Sequence, residues 1–183
     1  VSAYLLAFAI RGIIAVDKIE RVKDIIEACR GEGFTDEQCA YTVATVEHET
    51  NGTFEPVREA YWLPEWWRKR RLRYYPWYGR GLVQITWKEN YAKFERLLGV
   101  PLTQDPDLAL EWDTSVDILV KGFKDGHFTG KKISDYIRPG HTDWNNARRC
   151  INGTDRAAKI AALAIKWLQW IHKNVPLVAH RPA

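Results

Sequence analysis

The sequence predicts a mainly α fold, a single domain spanning residues 1–183, with a small irregular or β region between Glu49 and Gln84. Three observations predict it. Apolar residues recur at three- and four-residue spacing through most of the chain, the period of a helix that buries one face. Capping and stop residues bracket those periodic stretches. Strand-like alternation is scarce, and no internal repeat, low-complexity tract or linker divides the chain. With 183 residues, 46% of them hydrophobic, the chain can bury roughly 70% of its unfolded surface and hold a core without staples.

The first element is the apolar stretch Ala3 to Val16, interrupted by Arg11. It is too short and too charged to span a bilayer, and no small-residue cleavage site follows a basic segment. A packed first helix is therefore expected, with neither stable membrane insertion nor a cleavable signal. From Asp17 to Cys29, Ile19, Val22, Ile25, Ile26 and Cys29 mark one helix face, and Gly31 and Gly33 stop it. Thr35 and Gln38 form a capping box that opens a second helix. Ala40, Val43, Ala44 and Glu47 lie along one side of that helix, which ends near Glu49 because Asn51-Gly52 signals a turn.

Thr53 to Leu63 reads as a loop or short hairpin, Pro64 to Arg71 as a short helix, and Arg73 to Val83 as an aromatic, glycine-rich loop. A second capping box, Thr86 to Glu89, predicts a helix through Tyr91, Phe94, Leu97 and Leu98 that stops at Gly99. Further helices are expected over Asp107 to Lys124 and Asp143 to Cys150. A last one, capped by Asp155, runs through Trp167 and Ile171 before Pro176.

Composition narrows the chemistry. Cys29, Cys39 and Cys150 are an odd number in a chain too long to need a disulfide framework, so they read as buried free thiols in a reducing compartment. The histidines at 48, 127, 141, 172 and 180 show no compact metal-ligand spacing, and neither a metal nor another cofactor is expected. The net charge is only +4, but Arg68 to Arg73, RKRRLR, concentrates cations and points to an anionic partner. That run, beside Tyr74, Tyr75 and Trp77, suits a nucleic acid or an anionic cell wall; without a nucleic-acid module signature, the wall is the better reading.

EHETNGTFEPVREAYW, Glu47 to Trp62, gathers Glu47, Glu49, Glu55 and Glu59 where a helix breaks into a loop. Cleavage between sugars needs one carboxyl group as proton donor and usually a second as base or nucleophile. Glu49, at the negative end of a helix dipole that disfavours a carboxylate, suits the donor. Glu59 lies ten residues on, past a turn. Glu47 reads as structure on another face, and His48 as a residue that orients the loop, with a proton shuttle as the alternative. YYPWYGRGLVQITWKENY, Tyr74 to Tyr91, adds aromatics, glycines permitting close backbone approach, and the polar side chains of Gln84, Thr86 and Asn90. Arg80 suits holding a carboxylate or a loop backbone. Trp62, Trp66, Trp67, Trp77 and Trp87 cluster near this region and suit stacking on pyranose faces, whereas Trp112, Trp167 and Trp170 read as core.

HETNGTF followed by YGRGLVQITWKENY resembles the chitinase-like glycoside hydrolase family 19, and INGT at Ile151 to Thr154 is similar to that family's later Ile-Asn-Gly signature. The resemblance runs from about Thr35 to Ile171. The compact length, the lack of disulfide-bearing loops and the PVREAYWL segment look more like the phage and prophage endolysin branch than the plant enzymes. It implies a lysozyme-like fold with a catalytic cleft in which Glu49 is the general acid and Glu59 the base that activates water. Thr86 would help to hold that water; Gln84, Asn90 and Asn152 would contact substrate, with Tyr78, Arg80 and His48 nearby. The family inverts configuration, which sets its two carboxyls roughly 6.5 to 9.5 Å apart. The separation between Glu49 and Glu59 is shorter than in the family's chitinases, so Glu55 stands as a rival base, and a single acid with water held by Thr86 and Gln84 as a third arrangement.

By this resemblance the expected function is an endolysin-type hydrolase of the β-1,4 bond between N-acetylmuramic acid and N-acetylglucosamine. A chitinase and a non-catalytic wall-binding protein are the alternatives. The expected partner is bacterial peptidoglycan, with no specific nucleic acid, and the expected state is a monomer held in the host cytoplasm until lysis.

Overall fold

The computed structural model describes residues 18–175; the helix expected over Ala3 to Val16 lies outside them. The chain is mainly helical, with two small antiparallel sheets, an architecture consistent with the lysozyme-like kind. Helix α1 occupies 18–31 and buries Val22, Ile25, Ile26 and Cys29 completely. Gly33, at φ +83°, ends it in the left-handed conformation that a side chain resists.

The capping box forms as expected: the Gln38 N–H donates to Thr35 Oγ1, and the Thr35 N–H donates to Gln38 Oε1. It opens α2 (Asp36–Glu49). The expected one-sided burial is corrected, because Gln38 to Val46 are all buried. This central helix packs closely on α6 (Ala157–Asn174); the hydroxyls of Thr42 and Thr45 donate to the carbonyls one turn back, the Gln38 amide donates to the Ile137 carbonyl, and the buried Tyr41 hydroxyl has no hydrogen-bond partner among the described residues.

Helix α3 is Glu65–Arg71, and α4 is Lys88–Leu98, stopped by Gly99. The second capping box does not form. Trp87 holds the cap position at φ +73° without a side-chain bond, and the Asn90 amide instead reaches back to the Thr86 carbonyl at 2.8 Å. The helix expected from Asp107 is also split. Pro106–Leu110 is a 3-10 turn, Glu111 is extended, and α5 starts at Trp112 and runs to Asp125. Two arginines engage the Asp107 carboxylate, which ties this turn to the small sheet as well as to α5.

The expected helix at Asp143 is reduced to a 3-10 turn, Asn146–Cys150, although the Asp143 carboxylate takes the Asn146 N–H and side-chain amide in the manner of a helix cap. Asp155 does not cap α6; Arg156, at φ +57°, occupies the cap position. Strands β1 (Val57–Arg58) and β2 (Arg80–Gly81) pair antiparallel in the expected β region. Strands β3 (Ile137–Arg138) and β4 (His141–Thr142) form a second hairpin that the sequence reading passed over, although Pro139-Gly140 between them is a turn signal.

The core gathers side chains from α1, α2, α4, α5 and α6, with Tyr91, Phe94 and Phe123 among the largest fully buried. Full burial of such a side chain contributes about 1.5–3 kcal/mol. All three cysteines are free and buried. Among the described residues no helix is long and apolar enough to cross a membrane.

Candidate active site

Glu49 is the last residue of α2. Thr50 fixes the exit: its hydroxyl donates to the Val46 carbonyl and accepts the Phe54 N–H, folding the chain back through the Asn51-Gly52 turn. Arg148, 4% exposed, donates from Nη1 to Glu49 Oε1 at 2.8 Å. The dipole that disfavours a carboxylate at this helix end is thus opposed by a buried guanidinium.

Glu59 follows β1, and its carboxylate is held by neutral donors alone. Its backbone N–H donates to the Gly79 carbonyl at 2.7 Å, while its carboxylate accepts the Tyr74 hydroxyl at 2.7 Å and the Gly79 N–H at 2.9 Å. Burial, and then the adjoining Glu59, push the Tyr74 hydroxyl up to about 12. It therefore stays a donor through the neutral range. Gln84, at φ +54°, spends its amide N–H groups on the Val57 and Gly81 carbonyls, which holds β1 against the turn that follows β2.

Glu49, Glu55, Glu59 and Gln84 line one cavity of about 510 Å³, with Tyr61 and Trp62 at its edge. Those two rings are 68% and 71% exposed and meet edge to face. Glu55 faces a cation, Arg21, at 3.4 Å, and the Arg21 guanidinium lies 4.0 Å above the Trp112 ring. Two carboxylates of this cavity, Glu49 and Glu55, therefore face arginines, while Glu59 keeps neutral partners. The cavity is suited to hydrolysis in which one group delivers a proton and another takes one from water.

Other expected site residues fall elsewhere. Tyr78 and Arg80 are buried behind β2, with the Arg80 guanidinium 3.7 Å above the Tyr78 ring and bonded to Asp107, the Pro76 and Tyr78 carbonyls and the Tyr91 hydroxyl. His48 lines a separate hollow with Glu47 and Lys159, and burial lowers its pKa below the usual histidine value. Glu47 accepts the Trp167 indole N–H at 2.7 Å. Thr86 and Asn90 bond each other at the start of α4, and Asn152 is exposed with its side chain turned onto the Gly153 N–H. None of these lines the cavity.

The sequence reading missed Arg148 and did not assign Tyr74, Gly79 or Asp107 to the site. Arg148 lies 99 residues from Glu49, beyond any local pattern. Gly79 matters for space: a β-carbon there would sit 2.8 Å from Gln84 Oε1 and 3.3 Å from both Glu59 Cβ and Oε2. Gly79→Ala is expected to cut turnover about 10- to 100-fold, since a small displacement of a reacting group costs that much. The flexible ends of Gln84 and Glu59 can yield, so the unfolding midpoint should barely move. Paired initial-rate and thermal-unfolding measurements check this, and unchanged turnover would contradict it.

Asp107 braces the same sheet. Its carboxylate accepts Arg80 Nε at 2.7 Å and Arg58 Nη2 at 2.5 Å, so it clamps the strand that leads into Glu59 and the strand that follows Gly79. Asp107→Ala is expected to cost about 1–3 kcal/mol, since Arg80 is buried but keeps its carbonyl and hydroxyl acceptors. Burial raises the Asp107 pKa, but the hydrogen bonds from Arg58 and Arg80 outweigh it and hold the carboxyl below its ordinary 3.8. A depressed folded value means the contribution is full above 3.8 and fades as pH falls through that folded value. The gap in unfolding midpoint between wild type and Asp107→Ala should therefore narrow in strong acid.

Comparison with known proteins gives a short match. A stretch of 32 residues, 18% of the chain, is 53% identical to Endochitinase At2g43610 of Arabidopsis thaliana. Endochitinase At2g43620 of the same plant matches equally, also at 53% over 32 residues. The matched stretch spans 11% of the length of each of these relatives. No family model matches the chain, and no solved structure does. The similarity suggests, at most, a chitinase-like relationship and glycoside hydrolase-like chemistry.

Proposed function

We propose that this protein hydrolyses the β-1,4 glycosidic bond between N-acetylmuramic acid and N-acetylglucosamine in bacterial peptidoglycan, as an endolysin-type lysozyme. The observation that carries the reading is the single cavity in which Glu49, paired to Arg148, and Glu59, held by Tyr74 and Gly79, both appear. Glu49 protonates the leaving oxygen, and Arg148 then stabilises the carboxylate that remains. Glu59 takes a proton from water as that water attacks the anomeric carbon from the opposite face, giving inversion. Tyr61 and Trp62 offer apolar faces for pyranose rings at the cavity edge. The resemblance to phage lysins favours peptidoglycan, and a pool held in the host cytoplasm until lysis, with the protein acting as a monomer, belongs to the same proposal.

Chitinase is the second reading, favoured by the endochitinase match. The catalytic pair cannot choose, because both polymers contain β-1,4-linked N-acetylglucosamine. The test is mass spectrometry of soluble fragments from purified peptidoglycan after borohydride reduction, run beside sugar release from chitin. Reduced N-acetylmuramic acid ends support the proposal. Release from chitin alone makes the protein a chitinase, and binding without new ends on either polymer makes it a wall-binding protein.

A further inference from the structure

Helix α3 follows the cavity edge directly along the chain. Trp62 lines the cavity, and three residues after it the chain enters α3 at Glu65, where Trp66 is 62% exposed. Trp66, Lys69 and Arg70 stand at i, i+3 and i+4, so they share one side of the helix. Lys69, Arg70, Arg71 and the following Arg73 are all exposed. Among the described residues none of the four has an ion-pair partner, whereas Arg68, across the helix from Trp66, is buried against Glu65 and the Ala60 and Leu63 carbonyls. Arg73, just past the end of α3, lies over the Trp87 ring at 5.0 Å. Glu65, the helix's own acid, is taken by Arg68 and Tyr78.

Exposed aromatics beside unpaired cations, at the edge of a cavity suited to a sugar polymer, match a ligand that has both ring faces and fixed negative charge. A neutral polysaccharide supplies only the first. We propose that the α3 margin, Trp66 with Lys69, Arg70 and Arg71, is a subsite for the carboxylates of the peptides carried by the glycan strand. It would thus be the feature that selects peptide-bearing wall over chitin. This inference rests on the peptidoglycan reading above. A single exposed charge contributes little and is screened by salt, so the three acting together should be visible at low ionic strength.

The experiment compares the wild type with Lys69→Gln/Arg70→Gln/Arg71→Gln and with the charge-keeping Lys69→Arg/Arg70→Lys/Arg71→Lys. Each is sedimented with native sacculi and with sacculi whose carboxyls have been amidated by carbodiimide and methylamine. The expected result is about tenfold weaker binding of the neutral variant to native sacculi at low salt. Its binding should be indifferent to amidation, the charge-keeping variant should match the wild type, and all three should unfold at similar temperatures. Equal binding by wild type and neutral variant overturns the proposal, as does wild-type binding that ignores amidation. Vesicles of phosphatidylglycerol form the control: loss of vesicle binding with sacculus binding unchanged would reassign the margin to lipid and overturn it. Margin-dependent binding with no new reducing ends would instead leave the subsite standing and remove the hydrolase reading.

Discussion

Glu49→Gln is expected to reduce the release of new reducing ends from peptidoglycan by about 10²- to 10⁴-fold, the usual contribution of a positioned proton donor. The amide keeps an oxygen that can accept from Arg148 but loses both the transferable proton and the negative charge. Arg148 is buried and also donates to the Asp155 carbonyl, so the stability cost should stay near 1–3 kcal/mol. That is a fall of several degrees in unfolding temperature for a chain of this size. Binding to sacculi should survive. Glu59→Gln should also lose turnover, because a side-chain amide cannot take a proton from water. Its new NH2 group would in addition face one of two donors, Tyr74 Oη and the Gly79 N–H. Glu55→Gln should keep activity within a few-fold, since it loses only a half-exposed contact with Arg21. Full turnover by Glu49→Gln would remove the acid from its assigned role, and a defect in Glu55→Gln as deep as that of Glu59→Gln would reopen the identity of the base.

What was legible in the sequence was local. Thr35 and Gln38 sit three residues apart and announce a helix start whatever the rest of the chain does. Asn51-Gly52 fixes where that helix ends, and with it the place of Glu49. The same local logic failed at Thr86, whose capping signature is overridden because Trp87 adopts a positive φ and Asn90 bonds the Thr86 carbonyl. It failed again at Asp107, which reads as helical until Arg58 and Arg80, 49 and 27 residues away in sequence, claim its carboxylate. The candidate site divides in the same way. Its acids fall within one short segment, whereas the groups that tune them, Arg148 on Glu49 and Tyr74 and Gly79 on Glu59, are brought in by the tertiary fold. Tyr78 and Arg80 stood out in the sequence because they belong to a distinctive block, yet their side chains serve the packing behind the sheet.

Gly122→Ala is expected to destabilise the protein although alanine is the better helix former. In the interior of α5 the exchange should gain about 1 kcal/mol from helix propensity. A β-carbon at that position, however, would come within 1.9 to 2.6 Å of the Cζ, Cε2 and Cε1 atoms of Phe128. Phe128 is pinned from the other side: its ring lies 5.9 Å from that of Phe94 and 6.1 Å from that of Phe123, both buried. It cannot yield without opening that aromatic cluster, and overpacking of this kind costs about 1–3 kcal/mol, occasionally more. The steric cost should win, and the unfolding midpoint should fall by about 5 °C. Leucine lacks the three clashing ring atoms, so Phe128→Leu combined with Gly122→Ala should cost less than the sum of the two single changes. A double-mutant cycle measures that coupling. Because neither residue lines the cavity, activity per folded molecule should be unchanged throughout the cycle. A raised midpoint for Gly122→Ala alone would mean that propensity outweighs contact and that the loop carrying Phe128 moves aside at little cost.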